Sequence, residues 1–201
     1  MTNYDENQTL RQARQRYFDD NHFGADGGYG DKWVQAKLGP LPIAIPNLAA
    51  RVRAVRFHDL HHLATGYATD WQGEAEIAAW EIATGIGRHY AGWALDLWAL
   101  AVGLFVAPRS VWRAFLRGRQ TRNLFTVEYS DELLQQTVGA LRRELGLQRP
   151  GRRAFVKDRL CFAGWAAVSL LWTLLSMPFA LTIFPALAAY ARLAAHRVKS
   201  V

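Results

Sequence analysis

The sequence predicts an all-α fold: a helical bundle with a metal-binding helix pair and a C-terminal hydrophobic, membrane-associated helical segment. Three observations predict it. Residues 47–64 place apolar side chains at helical spacing and gather His58, His61 and His62 within five positions. After a break at Gly66 and Thr69-Asp70, a second helical stripe runs through Glu74, Ala78, Glu81 and Gly85. Residues 160–191 then contain no charged residue, which exceeds the roughly 20 positions needed for one bilayer span. Residues 1–148 read as the helical metal-binding domain and 149–201 as the basic-flanked membrane segment.

Composition narrows the function classes. The 201 residues are enough for a real core. One cysteine, Cys161, excludes an internal disulfide framework and suggests a reducing compartment. The net charge of +7 is uneven. Residues 1–108 have 9 Lys and Arg against 12 Asp and Glu, whereas residues 109–201 have 15 against 5. The basic half also holds the longest apolar run. That pairing points to anionic lipid headgroups rather than nucleic acid, for which no motif is present. The N-terminus, Met1-Thr2-Asn3-Tyr4-Asp5-Glu6, resembles neither a secretory signal nor a transit peptide. The expected location is the cytoplasmic face of a bacterial inner membrane, as a peripheral or monotopic protein.

In chain order, residues 7–19 form a short amphipathic helix with Leu10, Ala13 and Tyr17 on one side, stopped by Asp19-Asp20-Asn21. Residues 24–30 are a glycine-rich loop without the lysine ending of a phosphate loop, and His22 beside it is solvated. Residues 38–46 carry three prolines and are extended or turning. Pro46 takes the first turn of the motif helix, which ends near Gly66. Thr69-x-x-Gln72 is a capping box that opens a second helix at Asp70. Trp93–Pro108 is an apolar stretch broken only by Asp96. Its uncharged part suits a core or interfacial helix. Arg109, Arg113, Arg117, Arg119 and Arg122 follow, either as a solvated basic face or as a patch for lipid phosphate. Tyr129–Leu147 reads as one closing helix, capped by Ser130 and stopped by Gly146. In residues 160–191, Pro178 and Pro185 between two basic flanks favour a kinked hairpin dipping into one leaflet.

The candidate site follows from helix geometry. At about 100° per residue, His62 lies about 40° and Asp59 about 100° from His58. Val55, Leu48 and Val52 share that arc, so it is the inward face. His58 and His62 are an i,i+4 pair with Cβ atoms roughly 6 Å apart. His61 is on the flank. Glu74 comes from the next helix and closes a mixed nitrogen and oxygen site of His58, Asp59, His62 and Glu74. Imidazole with carboxylate suits a divalent transition metal, zinc first, with iron or another such metal as alternatives. Glu81, one heptad beyond Glu74, is a further ligand, an orienting partner or a structural ion pair. His89 is structural. Arg53 and Arg56 face solvent, and Arg51 shares the ligand arc. The plain alternative is a set of satisfied helix-face histidines with a salt-bridged Glu74.

His58-Asp59-x-x-His62, eleven residues and Glu74 resemble the full signature of the coenzyme Q (ubiquinone) biosynthesis protein 4 family. Gly66, Thr69, Gly73-Glu74, Trp80-Glu81 and the 129–147 stretch look like it too, and the resemblance covers roughly residues 45–147. The chain departs from the family in its long apolar C-terminal segment and its Trp- and Arg-rich middle. The resemblance implies a metal-dependent oxidative decarboxylation at C1 of a prenylated quinone precursor at the membrane. In it Asp59 and Glu74 carry the chemistry, Asp59 completing the coordination or acting as a nearby base. The alternative is a non-catalytic prenyl-lipid-binding scaffold with a structural metal. Expected partners are the prenylated precursor or another polyprenyl lipid, the membrane and other quinone-biosynthesis enzymes, with homodimers allowed. A third class, the membrane desaturases with several histidine boxes, fits poorly because His22, His89 and His196 are isolated.

Overall fold

The computed structural model describes residues 4–38 and 41–199. Among these the chain is predominantly helical, with eight α-helices and one β-hairpin. Helix α1, Leu10–Asp20, opens with a full capping box between Thr9 and Gln12. It buries Leu10, Ala13, Tyr17 and Phe18, the side expected from its spacing plus Phe18.

Strands β1, Trp33–Leu38, and β2, Leu41–Pro46, pair antiparallel with Trp33 opposite Pro46. The extended reading of 38–46 holds over β2, while Gly39 and Pro40 lie outside the described residues. Pro46 is corrected: it ends a strand and does not start a helix. The motif helix α2 is Ala49–Thr65, and Leu48 precedes it with 64% exposure. Leu48 is therefore not part of an inward arc. Gly66 ends α2 at φ 77°, its N–H donating to the His62 carbonyl.

Helix α3, Trp71–Thr84, is capped by Asp70, whose carboxylate accepts from the Gly73 N–H at 2.8 Å. The expected Thr69 cap is replaced because the Thr69 hydroxyl donates instead to the Asn21 side chain. A carboxylate one residue later serves the same donors, so the helix starts one residue on. Helix α3 packs between α4, Tyr90–Val106, and α5, Pro108–Gly118. The α3–α4 contact needs Gly103, where an added Cβ would lie 2.5 Å from the Ala75 Cβ. Pro108 sits in the first turn of α5, where its missing N–H costs nothing.

The predicted closing helix is two helices, α6 (Asp131–Gln135) and α7 (Val138–Glu144). Leu10 N–H donates to the Gln136 carbonyl, Val138 N–H donates to Gln8, and Thr9 bridges Thr137. The N-terminal segment thus takes the backbone bonds that would have continued one helix. Ser130 caps α6 as expected, and Gly146 follows α7 at φ 76°.

Helix α8, Val156–Lys199, continues through Pro178 and Pro185, so the expected hairpin is corrected to one uninterrupted helix. Each proline removes only one intrahelical bond, and packing holds the helix on both sides of the gap. Its start is pinned by Asp158, fully buried and bonded to Arg152 at 2.7 Å. Along its length Trp165 stacks on Trp93 at 4.9 Å between centroids. The Trp98 indole donates to Ser176 and the Trp172 indole to the Ala94 carbonyl. The outward face leaves Leu171, Leu174, Leu175 and Phe179 exposed. Over Val156–Tyr190, α8 is long and apolar enough to cross a membrane. The side chains of Arg192, Arg197 and Lys199, the second basic flank, lie outside the described set.

Candidate metal centre

Three of the four predicted ligands converge. His58 Nε2 is 3.1 Å from His62 Nε2 and 3.3 Å from Glu74 Oε2, and His62 Nε2 is 3.5 Å from Glu74 Oε1. An ion bound at 2.0–2.1 Å with tetrahedral angles separates its donors by about 3.3 Å. The His58–His62 edge matches that spacing, the two rings each meet a different Glu74 oxygen, and one donor atom from each residue lies within 4.8 Å of the others, so His58, His62 and Glu74 form a group that could hold a metal ion. The one-turn spacing on α2 supplies the two rings. Glu74 is brought to them by Gly73, where an added Cβ would lie 2.1 Å from the Ala68 carbonyl oxygen. Only a glycine lets the first turn of α3 lie this close to the connection from α2.

Hydrogen bonding sets the ring tautomers. His62 Nδ1–H donates to the Tyr67 carbonyl at 3.0 Å, leaving the Nε2 lone pair toward the group. His58 Nδ1 faces both Glu81 oxygens at 3.2 Å. Its N–H is thereby held by a carboxylate and its Nε2 is left to ligate, an arrangement that orients a ligand ring and raises its basicity.

Asp59, the fourth predicted ligand, points elsewhere. It is 5% exposed and accepts a hydrogen bond from the Tyr29 hydroxyl at 2.5 Å. Burial raises its pKa, the Tyr29 bond partly offsetting this. It stands beside the trio on the same cavity wall without joining it.

His61 was placed on a flank, yet it is fully buried. Leu124 N–H donates to its Nε2 at 2.9 Å, and its Nδ1–H donates to Glu81 Oε1 at 2.5 Å. Helix α2 is buried on more than one arc. Its other side packs Phe57, Leu60 and Ala64 into the core. Arg56 is likewise not solvated, since its guanidinium lies over the rings of Tyr29 and Tyr129. His89 Nε2 donates to the Phe125 carbonyl at 3.1 Å, a structural role.

Two site residues were missed. Tyr29 sits in the glycine-rich loop and carried no signal. Asp96 is 4% exposed on α4, and with His58 and Glu81 it makes a second group of convergent donors. Its signal was its position as the only charge in an apolar helix.

The electrostatics are strongly coupled. Burial would lower the His58 pKa, but Glu81 and Glu74 outweigh it and raise it well above the usual value. Burial alone would raise Glu81, but His58 and His61 hold it well below the carboxylate range. Glu74 is also depressed by His58 and His62 against the effect of burial. Asp96 is driven well above the range by burial, then by the neighbouring Glu81.

The group opens on a cavity of about 1010 Å³. Its lining includes His58, Asp59, Glu74, Glu81, Asp96 and Arg51. Burial lowers the Arg51 pKa. Apolar residues of α4 (Leu95, Trp98, Val102) and α8 (Met177, Leu181, Phe184) also line the cavity. No family model, curated protein or solved structure matches this chain.

Proposed function

We propose that this chain is a membrane-associated, metal-dependent protein of the quinone-biosynthesis type. Its reaction is oxidative decarboxylation at C1 of a prenylated aromatic precursor. The observation that supports this most is one cavity lined both by donors for a divalent cation and by apolar side chains of α4 and α8. A ligand that suits both linings has a compact anionic head and a long hydrocarbon tail. The apolar α8 beside the tail supports contact with lipid, and the cytoplasmic face of a bacterial inner membrane is the location this reading proposes. The resemblance of His58-Asp59-x-x-His62 and Glu74 to the coenzyme Q biosynthesis protein 4 signature supports the ring chemistry.

Two imidazoles and one carboxylate suit zinc, and equally the iron used in oxidative chemistry. When bound, such an ion supplies Lewis acidity toward the ring substituents and open positions for them. The rest belongs to the chain. Arg51 faces the head of the ligand and attracts its carboxylate. Asp59, held by Tyr29, is placed to take a proton from the ring hydroxyl. Trp98 and Phe184 line the tail and keep water from it. The carboxyl leaves as carbon dioxide and a hydroxyl takes its place. That is a two-electron oxidation; with water as the source of the hydroxyl and dioxygen as the oxidant, it balances with hydrogen peroxide as the second product.

The test is complementation of a strain blocked at the decarboxylation step, with lipid extracts analysed by mass spectrometry. Wild type restores the quinone, while His62→Ala and Glu74→Ala leave the carboxylated precursor to accumulate. Restoration by all three alike overturns the enzyme and leaves the prenyl-lipid-binding scaffold.

A further inference from the structure

We infer that the chain has a second cation position on the opposite edge of the His58 ring, built from His58 Nδ1, Glu81 and Asp96. The inference rests on the first position being a metal site and adds a neighbour to it. Three observations carry it. The donor atoms of His58, Glu81 and Asp96 all lie within 4.8 Å of one another. Asp96 Oδ2 is buried with no N–H or O–H donor on it, and its carboxylate lies against that of Glu81, a pairing that needs a shared proton or a cation between the two. Glu81 and Asp96 both line the cavity, so an ion has an entry path.

The two carboxylates are not equivalent. Glu81 is already compensated by the N–H groups of His61 and His58. Asp96 forms no salt bridge among the described residues and shares its surroundings with the Glu81 carboxylate and the His58 ring, on a helix with no other charged residue. A buried carboxylate in that position is neutralised by a proton or by a cation. The cation is favoured by His58, whose Nδ1 is the third donor of a compact set. When the ion enters, the Nδ1 proton leaves to solvent and the ring bridges two ions. With metal–nitrogen bonds of 2.0–2.1 Å at each edge, the ions lie roughly 6 Å apart. That exceeds the roughly 3.5–4 Å of a two-metal clamp on one oxygen. The second ion instead presents a separate positive charge to the cavity, where an anionic head can reach both.

The donor sets differ in kind. The first has two imidazoles and one carboxylate, and the second has one imidazole and two carboxylates. The second therefore takes a harder cation, of the manganese class, once the first is filled.

The experiment uses the full chain in detergent, stripped with chelator and loaded with one equivalent of zinc. Manganese is then titrated in and followed by electron paramagnetic resonance. Wild type is expected to bind one manganese per chain. Asp96→Asn and Glu81→Gln are expected to weaken it at least tenfold, and melting curves confirm that each variant is folded. Manganese binding that is absent from wild type, or unchanged in folded Asp96→Asn while zinc is retained, overturns the second position and leaves the first intact. Zinc that does not stay on wild type overturns both.

Discussion

His58 and Glu81 meet across the interface of α2 and α3, with His58 Nδ1 3.2 Å from each Glu81 oxygen. The same carboxylate takes the His61 N–H. One buried anion thus orients two histidines of one helix, one turned toward the metal group and one into the core. Glu81→Gln keeps the shape but removes the charge and one acceptor. It is expected to lower metal affinity at the first position by about 10–100-fold and to cost on the order of 2 kcal/mol of stability. Competition with a chromophoric chelator and a thermal melt measure the two effects separately.

Metal content distinguishes the three histidines. Wild type is expected to retain at least one tightly bound divalent ion, which His58→Ala, His62→Ala and Glu74→Ala each remove. His61→Ala is expected to keep that ion but to melt well below wild type, because it strands the Leu124 N–H and one partner of Glu81. Elemental analysis beside circular dichroism reads both. Loss of metal in His61→Ala with unchanged stability would reverse the assignment.

The pH dependence of stability isolates Asp96. Its folded pKa is raised, so above about 3.9 the folded state binds more protons than the unfolded chain. The stability from this group is full below that value and falls as pH rises through the window up to the folded pKa. The slope is at most about 1.4 kcal/mol per pH unit. Glu81 has the opposite sign and a different window. Its depressed pKa contributes stability above about 4.3 that is lost only as pH falls. In chelator, the melting temperature of wild type minus that of Asp96→Asn is therefore expected to fall as pH rises above about 3.9. A flat difference contradicts the placement of Asp96.

The residues show why some of this was legible in the sequence and some was not. His58, His62 and Glu74 were readable because an i,i+4 pair and a capped second helix fix geometry locally. Gly66 and Ser130 were readable as local stop and start signals. Asp96 and Tyr29 reach the site only through tertiary packing, α4 against α3 and the glycine-rich loop over α2. The pattern of a single segment does not encode that. The break between α6 and α7 has the same origin, since its hydrogen-bond partners, Gln8 and Leu10, lie far away in the chain. The α8 prolines do not break the segment into a hairpin, and contacts of α8 with Trp93 and Trp98 favour the single helix.

The outward face of α8 predicts lipid contact. Leu174 and Leu175 are 72% and 61% exposed, so charge there disturbs no contact with α4. Leu174→Glu with Leu175→Glu is expected to shift the protein from membrane pellet to supernatant while metal content is unchanged. A central charge costs about 2.5–3.5 kcal/mol per residue in a bilayer. If the double variant still floats with vesicles, the face is a protein interface instead.

Asp59 gives the sharpest test of chemistry, because the structure separates it from the ligands. Its carboxylate lies on the cavity wall and is held by Tyr29. A residue that only completed the coordination would lose metal on substitution. A base beside the ion would lose turnover and keep the metal. Asp59→Asn is therefore expected to fold, to retain the first ion, and to lower decarboxylation by about 10²–10⁴-fold. Tyr29→Phe separates positioning from proton transfer. Without the phenol the carboxylate loses a stabilising donor, so its pKa rises further and it remains a competent base. Tyr29→Phe should keep measurable turnover, with the acid limb of its pH–rate profile moved to higher pH. Ring decarboxylation in lipid extracts, read beside metal content for both variants, decides the matter. Metal lost from Asp59→Asn makes Asp59 a ligand after all, and turnover unchanged in Asp59→Asn removes it from the reaction.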